Sequence, residues 1–231
     1  MTLAAQMVSL AFGRLDAAQR FIEIALPSLF FLSLITLPAC YLGIVLGRQI
    51  GLGVNQLDAL FTHRPDAWRR LRNDLVFATV LGFLVGAALL TLRLFTAPFL
   101  PPELPQLGFR GVVGGLAVSL GAAVAEEVWF RLGLMTLVVW SLARLMHTRA
   151  PSPTVIWSVI VFSALAFAAA HLPQVVAYGA ASPIGVVGTL FGNVLVGTFF
   201  GWMFWQRGIL AAMAAHFSVD LVLHVVSVAV W

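Results

Sequence analysis

Three ionisable side chains interrupt an apolar stretch, A-E-E-V-W-F-R at residues 125 to 131: Glu126, Glu127 and Arg131. A charge at the centre of a membrane helix costs about 3 kcal/mol on insertion scales, so such groups persist where they are paired, hydrated or functional. Read as a helix, Glu127 and Arg131 are i and i+4 and share a face, whereas Glu126 points about 100° away. The pair can neutralise itself. Glu126 is then a spare carboxylate of the kind that serves as a general acid or base.

Two further polar marks stand in equally apolar surroundings. In F-A-A-A-H, Phe167 and His171 share a face, and Pro173 is expected to end the helix just after the histidine, where a backbone carbonyl can satisfy its ring. In H-F-S-V-D, His216 and Asp220 are again i and i+4, and His224 continues the stripe one turn on. Three polar groups on one face of a membrane helix do not look at lipid; they face the bundle interior, where Glu126 and His171 can meet them. The bland alternative is an interhelical hydrogen-bond network, whose individual bonds average about 0.6 kcal/mol.

A carboxylate and two histidines from three helices suit two chemistries. In the first, Glu126 takes a proton from a water held by His171, the water attacks a carbonyl, and His216 with Asp220 supports the oxyanion. In the second, Glu126, His171 and His216 are zinc ligands, with His216, Asp220 and His224 as another possible ligand group. Nucleophilic catalysis fits less well. Cys40 is remote from the motifs, and no serine has a nucleophile-elbow setting.

The ordered set E-E-x-x-x-R at 126 to 131, F-x-x-x-H at 167 to 171 and H-x-x-x-D at 216 to 220 resembles the CAAX protease and bacteriocin-processing (CPBP) family of intramembrane glutamic endopeptidases. The resemblance covers about residue 111 to the C-terminus. It implies an all-helical core in which Glu126 and His171 activate water, His216 and Asp220 form the oxyanion hole, and Glu127, Arg131 and Phe167 support them, with no cofactor. Ras-converting members carry asparagine where this chain has Asp220. Asparagine donates a hydrogen bond to an oxyanion directly, whereas a charged aspartate instead orients His216 or His224. A prenylated C-terminal peptide is one substrate the resemblance implies; bacteriocin maturation and self-immunity are other tasks of the family.

The elements that must position these residues follow from composition. Of 231 residues 61% are hydrophobic and only 10% charged, with a mean hydropathy of +1.01, which means a polytopic membrane protein. All thirteen basic residues are arginines, and with nine acids they give a formal charge of +4, which need not imply nucleic acid. One cysteine excludes an intrachain disulfide framework. No cleaved signal peptide is read in the mildly apolar first dozen residues, and the first span is expected to act as the anchor.

Runs of about 20 apolar residues predict spans near 26–47, 75–99, 155–170, 184–205 and 209–231, with 111–146 as one long helix or two short ones. The expected fold is therefore an all-α, polytopic transmembrane bundle of six to eight helices. Residues 1–110 would hold an amphipathic N-terminal segment and two spans joined by a basic loop, and 111–231 the catalytic core. The stretch 63–74, with four arginines and Trp68, reads first as a positive-inside topology signal and also suits an interface-lying cytoplasmic segment. With a single third span, Arg48, Arg64, Arg69, Arg70, Arg72, Arg144, Arg149 and Arg207 fall on one side, which the positive-inside tendency makes cytoplasmic, with Arg14 and Arg20 opposite. Gly188, Gly192, Gly197 and Gly201 form two G-x-x-x-G units that let a neighbouring helix approach.

The expected function is an integral, multi-pass, metal-independent endopeptidase of a prokaryotic cytoplasmic membrane, acting on a peptide, protein or lipid-modified substrate that reaches the bundle from the bilayer. Zinc-dependent proteolysis, and a non-enzymatic transporter or immunity factor, are the alternatives.

Overall fold

The computed structural model describes residues 17–148 and 150–230, with side chains from Ser28 onward. The apolar N-terminal stretch, Arg14, Arg149 and the side chain of Arg20 lie outside the described residues. Among the described residues six helices are long and apolar enough to cross a membrane: Ser28–Ile50, Ala67–Phe99, Gly111–Leu145, Pro153–Ala177, Pro183–Arg207 and Ile209–Ala229. The molecule is an integral, multi-pass helical bundle.

The regular elements are α1 (Ala17–Ile50), α2 (Asn55–Phe61), α3 (Ala67–Thr96), α4 (Gly111–Glu126), α5 (Thr136–Leu145), α6 (Pro153–Ala169), α7 (Leu172–Ala177), α8 (Pro183–Arg207) and α9 (Ile209–His224). A nine-residue π-helix, Glu127–Met135, joins α4 to α5 without a break, so the segment from 111 to 145 is one span. Local chemistry sets the starts of α6 and α8 alike. Ser152 and Ser182 each accept a hydrogen bond from the amide three residues on, and each is followed by a proline whose fixed φ suits the first helical position.

Six spans place Arg48, Arg64, Arg69, Arg70, Arg72, Arg144 and Arg207 at one end of the bundle and Arg93 and Arg110 toward the other. The arginine-rich end is tied together by Arg48–Asp58 at 2.9 Å and Arg207–Asp74 at 2.6 Å, and Trp140 and Arg144 both donate to Gln49. The hydrogen bond from Arg48 holds the Asp58 carboxyl below the usual carboxylate range. The basic stretch at 63–74 is part turn and part helix. Asp66, in a left-handed conformation (φ 62°), turns the chain, and residues 67–74 form the first two turns of α3, with Leu71 buried and Trp68 exposed.

Packing rests on small residues, since apolar side chains gain little by leaving lipid for a neighbouring helix. Gly197 and Gly201 of α8 lie against Ala164 and Ile160 of α6; a Cβ on either would stand 3.0 Å from its neighbour. Gly82 and Gly86 of α3 lie against α9 even more closely, where a Cβ would meet the Ala215 carbonyl at 2.6 Å and Val222 Cβ at 2.9 Å. Gly188 and Gly192 do not serve the close packing expected of them: a Cβ on Gly188 would reach only Leu100, at 3.4 Å, and one on Gly192 nothing within 4 Å.

Candidate active site

The two glutamates stand where α-helix gives way to π-helix. A π-turn is wider than an α-turn and leaves carbonyls poorly served, and it recurs at functional sites. Here side chains repair the defect: Ser163 donates to the Phe130 carbonyl at 2.9 Å and Thr136 to that of Arg131 at 3.2 Å. From outside, α1 braces the same segment through Trp129, whose indole donates to Thr36 at 2.8 Å, and through Gly133, where a Cβ would come within 2.8 Å of Ala39 Cβ.

Arg131 and Glu127 are fully buried and paired at 3.3 Å, as their spacing predicts. Their contact is an ion pair rather than an aligned hydrogen bond, because Arg131 Nη1 and Nε have no hydrogen-bond partner and Nη2 donates to the Gly197 carbonyl at 2.9 Å. The guanidinium stands over the rings of Phe167 at 4.7 Å and Phe200 at 5.5 Å, a cation–π cage that compensates part of its lost hydration.

Glu127 does more than neutralise Arg131. Its Oε1 also accepts from His216 Nδ1 at 2.9 Å, so the histidine of α9 is tethered to the π-segment. A carboxylate only accepts, so Nδ1 carries a proton and Nε2 is turned the other way. There it faces Asp220 Oδ2 at 3.6 Å and Glu126 Oε2 at 3.9 Å. Phe200 fixes the ring plane by stacking on it, centroids 4.3 Å apart and planes 14° apart. The two glutamates approach one imidazole from opposite sides, Glu127 at Nδ1 and Glu126 at Nε2.

His171 stands between α6, which ends at Ala169, and α7, in which Pro173 occupies the first turn; the proline begins the next helix rather than ending the first. Its Nδ1 donates to the Phe167 carbonyl at 2.8 Å, leaving the Nε2 lone pair as the acceptor. The Phe167 ring joins the two histidines, 4.7 Å from His171 and 6.1 Å from His216. Glu126, His171, His216, Asp220 and His224 all line one cavity of about 580 Å³. Glu126, 4% exposed, is the carboxylate of the pair that faces it.

Residues 108–222 match the family described as type II CAAX prenyl endopeptidase, Rce1-like. The chain belongs to the Rce1-like family. No curated protein and no solved structure matches it. Membership of this endopeptidase family implies a protease, acting on a peptide substrate in a bilayer. The matched stretch of the Rce1-like chain contains Glu126, Glu127, Arg131, Phe167, His171, His216 and Asp220, but ends short of His224 and omits α1 and α3, whose packing holds the π-segment and α9 in place.

Among the described residues no group of three His, Cys, Asp or Glu side chains is arranged to hold a metal ion. Sequence reasoning missed two positioning features. Phe200 lies in a run of aromatic residues with no polar mark. Gly82-x-x-x-Gly86 carried a visible small-residue signal, in a span that holds no ionisable site residue.

Proposed function

We propose that this chain is an intramembrane endopeptidase that hydrolyses a peptide bond by a glutamate- and histidine-activated water. The observation that carries the reading is the division of labour around His216: Glu127 is occupied by Arg131 and by Nδ1, while Glu126 faces the cavity on the Nε2 side.

A water placed between Glu126 and His171 donates one hydrogen bond to His171 Nε2 and gives a proton to the Glu126 carboxylate. Its oxygen adds to the scissile carbonyl carbon. His216, in its doubly protonated form, donates from Nε2 to the developing oxyanion, in a pocket where a fixed dipole acts with little screening. The proton held by Glu126 then passes to the amide nitrogen, the C–N bond breaks, and an acid and an amine leave. Asp220, 3.6 Å from Nε2, serves to orient His216 rather than to bind the oxyanion. Glu127, Arg131 and Phe167 hold the imidazole.

The cavity walls beyond this cluster are apolar, with Leu89, Leu92, Phe99, Ile184, Val187 and Phe191 among them. Such walls suit a substrate carrying an apolar modification near its C-terminus, in keeping with a family of prenyl endopeptidases. The test is cleavage of a diverse library of plain and lipidated peptides by wild type and Glu126→Gln, with and without chelator, new termini being mapped by mass spectrometry. Glu126→Gln keeps the volume and removes the base, and turnover should fall by about 10²- to 10⁴-fold. Full turnover by the variant sinks the mechanism, and loss of wild-type activity to chelator moves the reading to a metal.

A further inference from the structure

Two spans end together at the arginine-rich end of the bundle, and a second cavity of about 500 Å³ lies between their ends. It shares no lining residue with the catalytic cavity. Arg48 and Gln49 come to it from α1, and Trp140, Arg144, His147 and Thr148 from α5 and the turn that follows. Among the described residues no Asp or Glu lines it.

Both arginines stand in the last turn of their helix, where a cation complements the helix dipole. The dipole requires neither a cavity nor a bridge between the two helices, and both are present. Gln49 Oε1 accepts from Trp140 Nε1 at 3.0 Å and from Arg144 Nη2 at 3.1 Å, and the Arg144 guanidinium stands 5.4 Å from the centroid of the Trp140 ring. Arg48 is fixed by Asp58, to which its Nε and Nη2 donate at 3.2 and 2.9 Å. These bonds hold both forks in place and leave Nη1 of Arg48, with Nε and Nη1 of Arg144, as further donors. Asp58 offsets one of the two cations; among the described residues no salt bridge reaches Arg144.

The surroundings are those of a lipid headgroup. Tyr41, Val45 and Gln49 recur every four residues on α1, so exposed apolar side chains lead away from the cavity along the span, and Leu145 and Met146 are exposed on the side of α5. A partly buried tryptophan at a span end marks the headgroup level. The positive-inside tendency makes this end cytoplasmic, the side on which anionic lipids and basic pockets between helices meet. A planar guanidinium matches phosphate geometry, and the exposed apolar stripe favours a phosphate that carries acyl chains over a free one.

We propose that this cavity binds the phosphate of an anionic phospholipid and that the bound headgroup clamps α1 to the span that carries Glu126 and Glu127. The two spans run parallel, with Thr36 on Trp129, Ala39 against Gly133, and Gln49 on Trp140 and Arg144. A ligand gripping their common end therefore steadies the brace that α1 gives the π-segment. Because α1 lies outside the stretch that matches the family, the cavity joins an element beyond that stretch to one within it.

The experiment titrates the full chain, in zwitterionic detergent, with phosphatidylglycerol, with phosphatidylcholine of the same acyl chains, with glycerol phosphate and with inorganic phosphate. Lipid binding is read by native mass spectrometry and every ligand by the melting temperature. Phosphatidylglycerol should bind at least about tenfold more tightly than phosphatidylcholine and raise melting. Arg48→Gln with Arg144→Gln should remove the preference, whereas Arg144→Lys, which keeps the charge and loses the fork, retains part of it. Arg72→Gln removes an exposed arginine outside the cavity and should leave the preference intact. In nanodiscs, phosphatidylglycerol should slow amide hydrogen exchange at residues 48–50 and 140–148.

Equal binding of the two lipids overturns the site, and so does a preference that survives the double variant. If the double variant does not melt cooperatively, Arg144→Gln alone must weaken the preference, and an undiminished one overturns the site in the same way. A preference lost equally in Arg72→Gln means that general surface charge, rather than the cavity, attracts the lipid. Stabilisation by glycerol phosphate or inorganic phosphate as large as that by the lipid, and dependent on Arg144, assigns the site to free phosphate and overturns the lipid. Bound phosphatidylglycerol with unchanged exchange overturns the clamp. No readout here is turnover, so failure of this site leaves the peptidase reading standing, and failure of that reading leaves this site standing.

Discussion

Two pairs of glycines with the same four-residue spacing do opposite work in this bundle. Gly82 and Gly86 let α3 lie against α9 so closely that a Cβ would stand within 2.6 Å and 2.9 Å of its atoms, beside His216 and Asp220. Gly188 and Gly192, at the other end of α8 from its contact with α6, front the cavity, and Gly192 has nothing within 4 Å of where a side chain would begin. Absence of a side chain closes one half of the molecule and opens the other. The closed half also holds the fully buried Arg131 in its aromatic cage, and the open half holds the apolar walls and the face of Glu126. A hydrolase inside a membrane needs both. One half must keep charged groups at fixed separations without water, and the other must admit water and a peptide.

The largest effect should come from the closed half. Glu127→Ala leaves Arg131 buried without its carboxylate and frees His216 Nδ1, a loss of about 3 to 5 kcal/mol by analogy with broken buried pairs. Glu126→Ala, on the cavity side, should cost clearly less while abolishing turnover. Melting in detergent decides it, and equal melting temperatures for the two variants would refute the assignment of Glu127 as the structural member of the pair. Next in size is Gly82→Ala. Its new methyl would meet the Ala215 carbonyl at 2.6 Å and Ser218 Cβ at 2.7 Å, so α9 must move. Overpacking of this order costs about 1 to 3 kcal/mol. Because α9 carries His216 and Asp220, activity should fall as well, and a variant with wild-type melting and turnover would show that the contact does not position the site.

Much of this arrangement was legible in the sequence, and the reasons are specific. Ionisable residues in membrane helices are few and expensive, so Glu126, Glu127, Arg131, His171, His216 and Asp220 stood out without any structure, and apolar run length located the spans, although the second begins at Ala67 rather than near 75 and the fourth runs on to Ala177 rather than near 170. Spacing rules act within one helix, so they found Glu127 with Arg131 and not Glu127 with His216, which are 89 residues apart. The glutamates were sorted by α-helical pitch, and Glu127 pairs with Arg131 as that sorting has it although the segment is a π-helix, whose supports, Ser163 and Thr36, lie on other spans. The glycine pairs were legible as small-residue motifs, but nothing local tells a glycine that faces a helix from one that faces a void.

That last distinction can be tested most sharply where the expected effect on stability is smallest. Gly192→Ala adds a methyl group that meets nothing, in the interior of a helix where alanine is favoured over glycine by up to about 1 kcal/mol, so melting should stay unchanged or rise slightly. The sign is opposite to that at Gly82 although the sequence context, G-x-x-x-G, is the same. Gly192→Leu then extends the probe. A leucine has room to project into the cavity beside Asn193 and Val196, both of which line it, so it should raise KM for a bulky, lipid-modified peptide more than for a plain one and leave the melting temperature alone. A Gly192→Ala protein that melts as low as Gly82→Ala would mean that this face of α8 is packed in the membrane. An unchanged KM in Gly192→Leu would mean that substrate takes another route to Glu126, and the division into a closed and an open half would have to be redrawn.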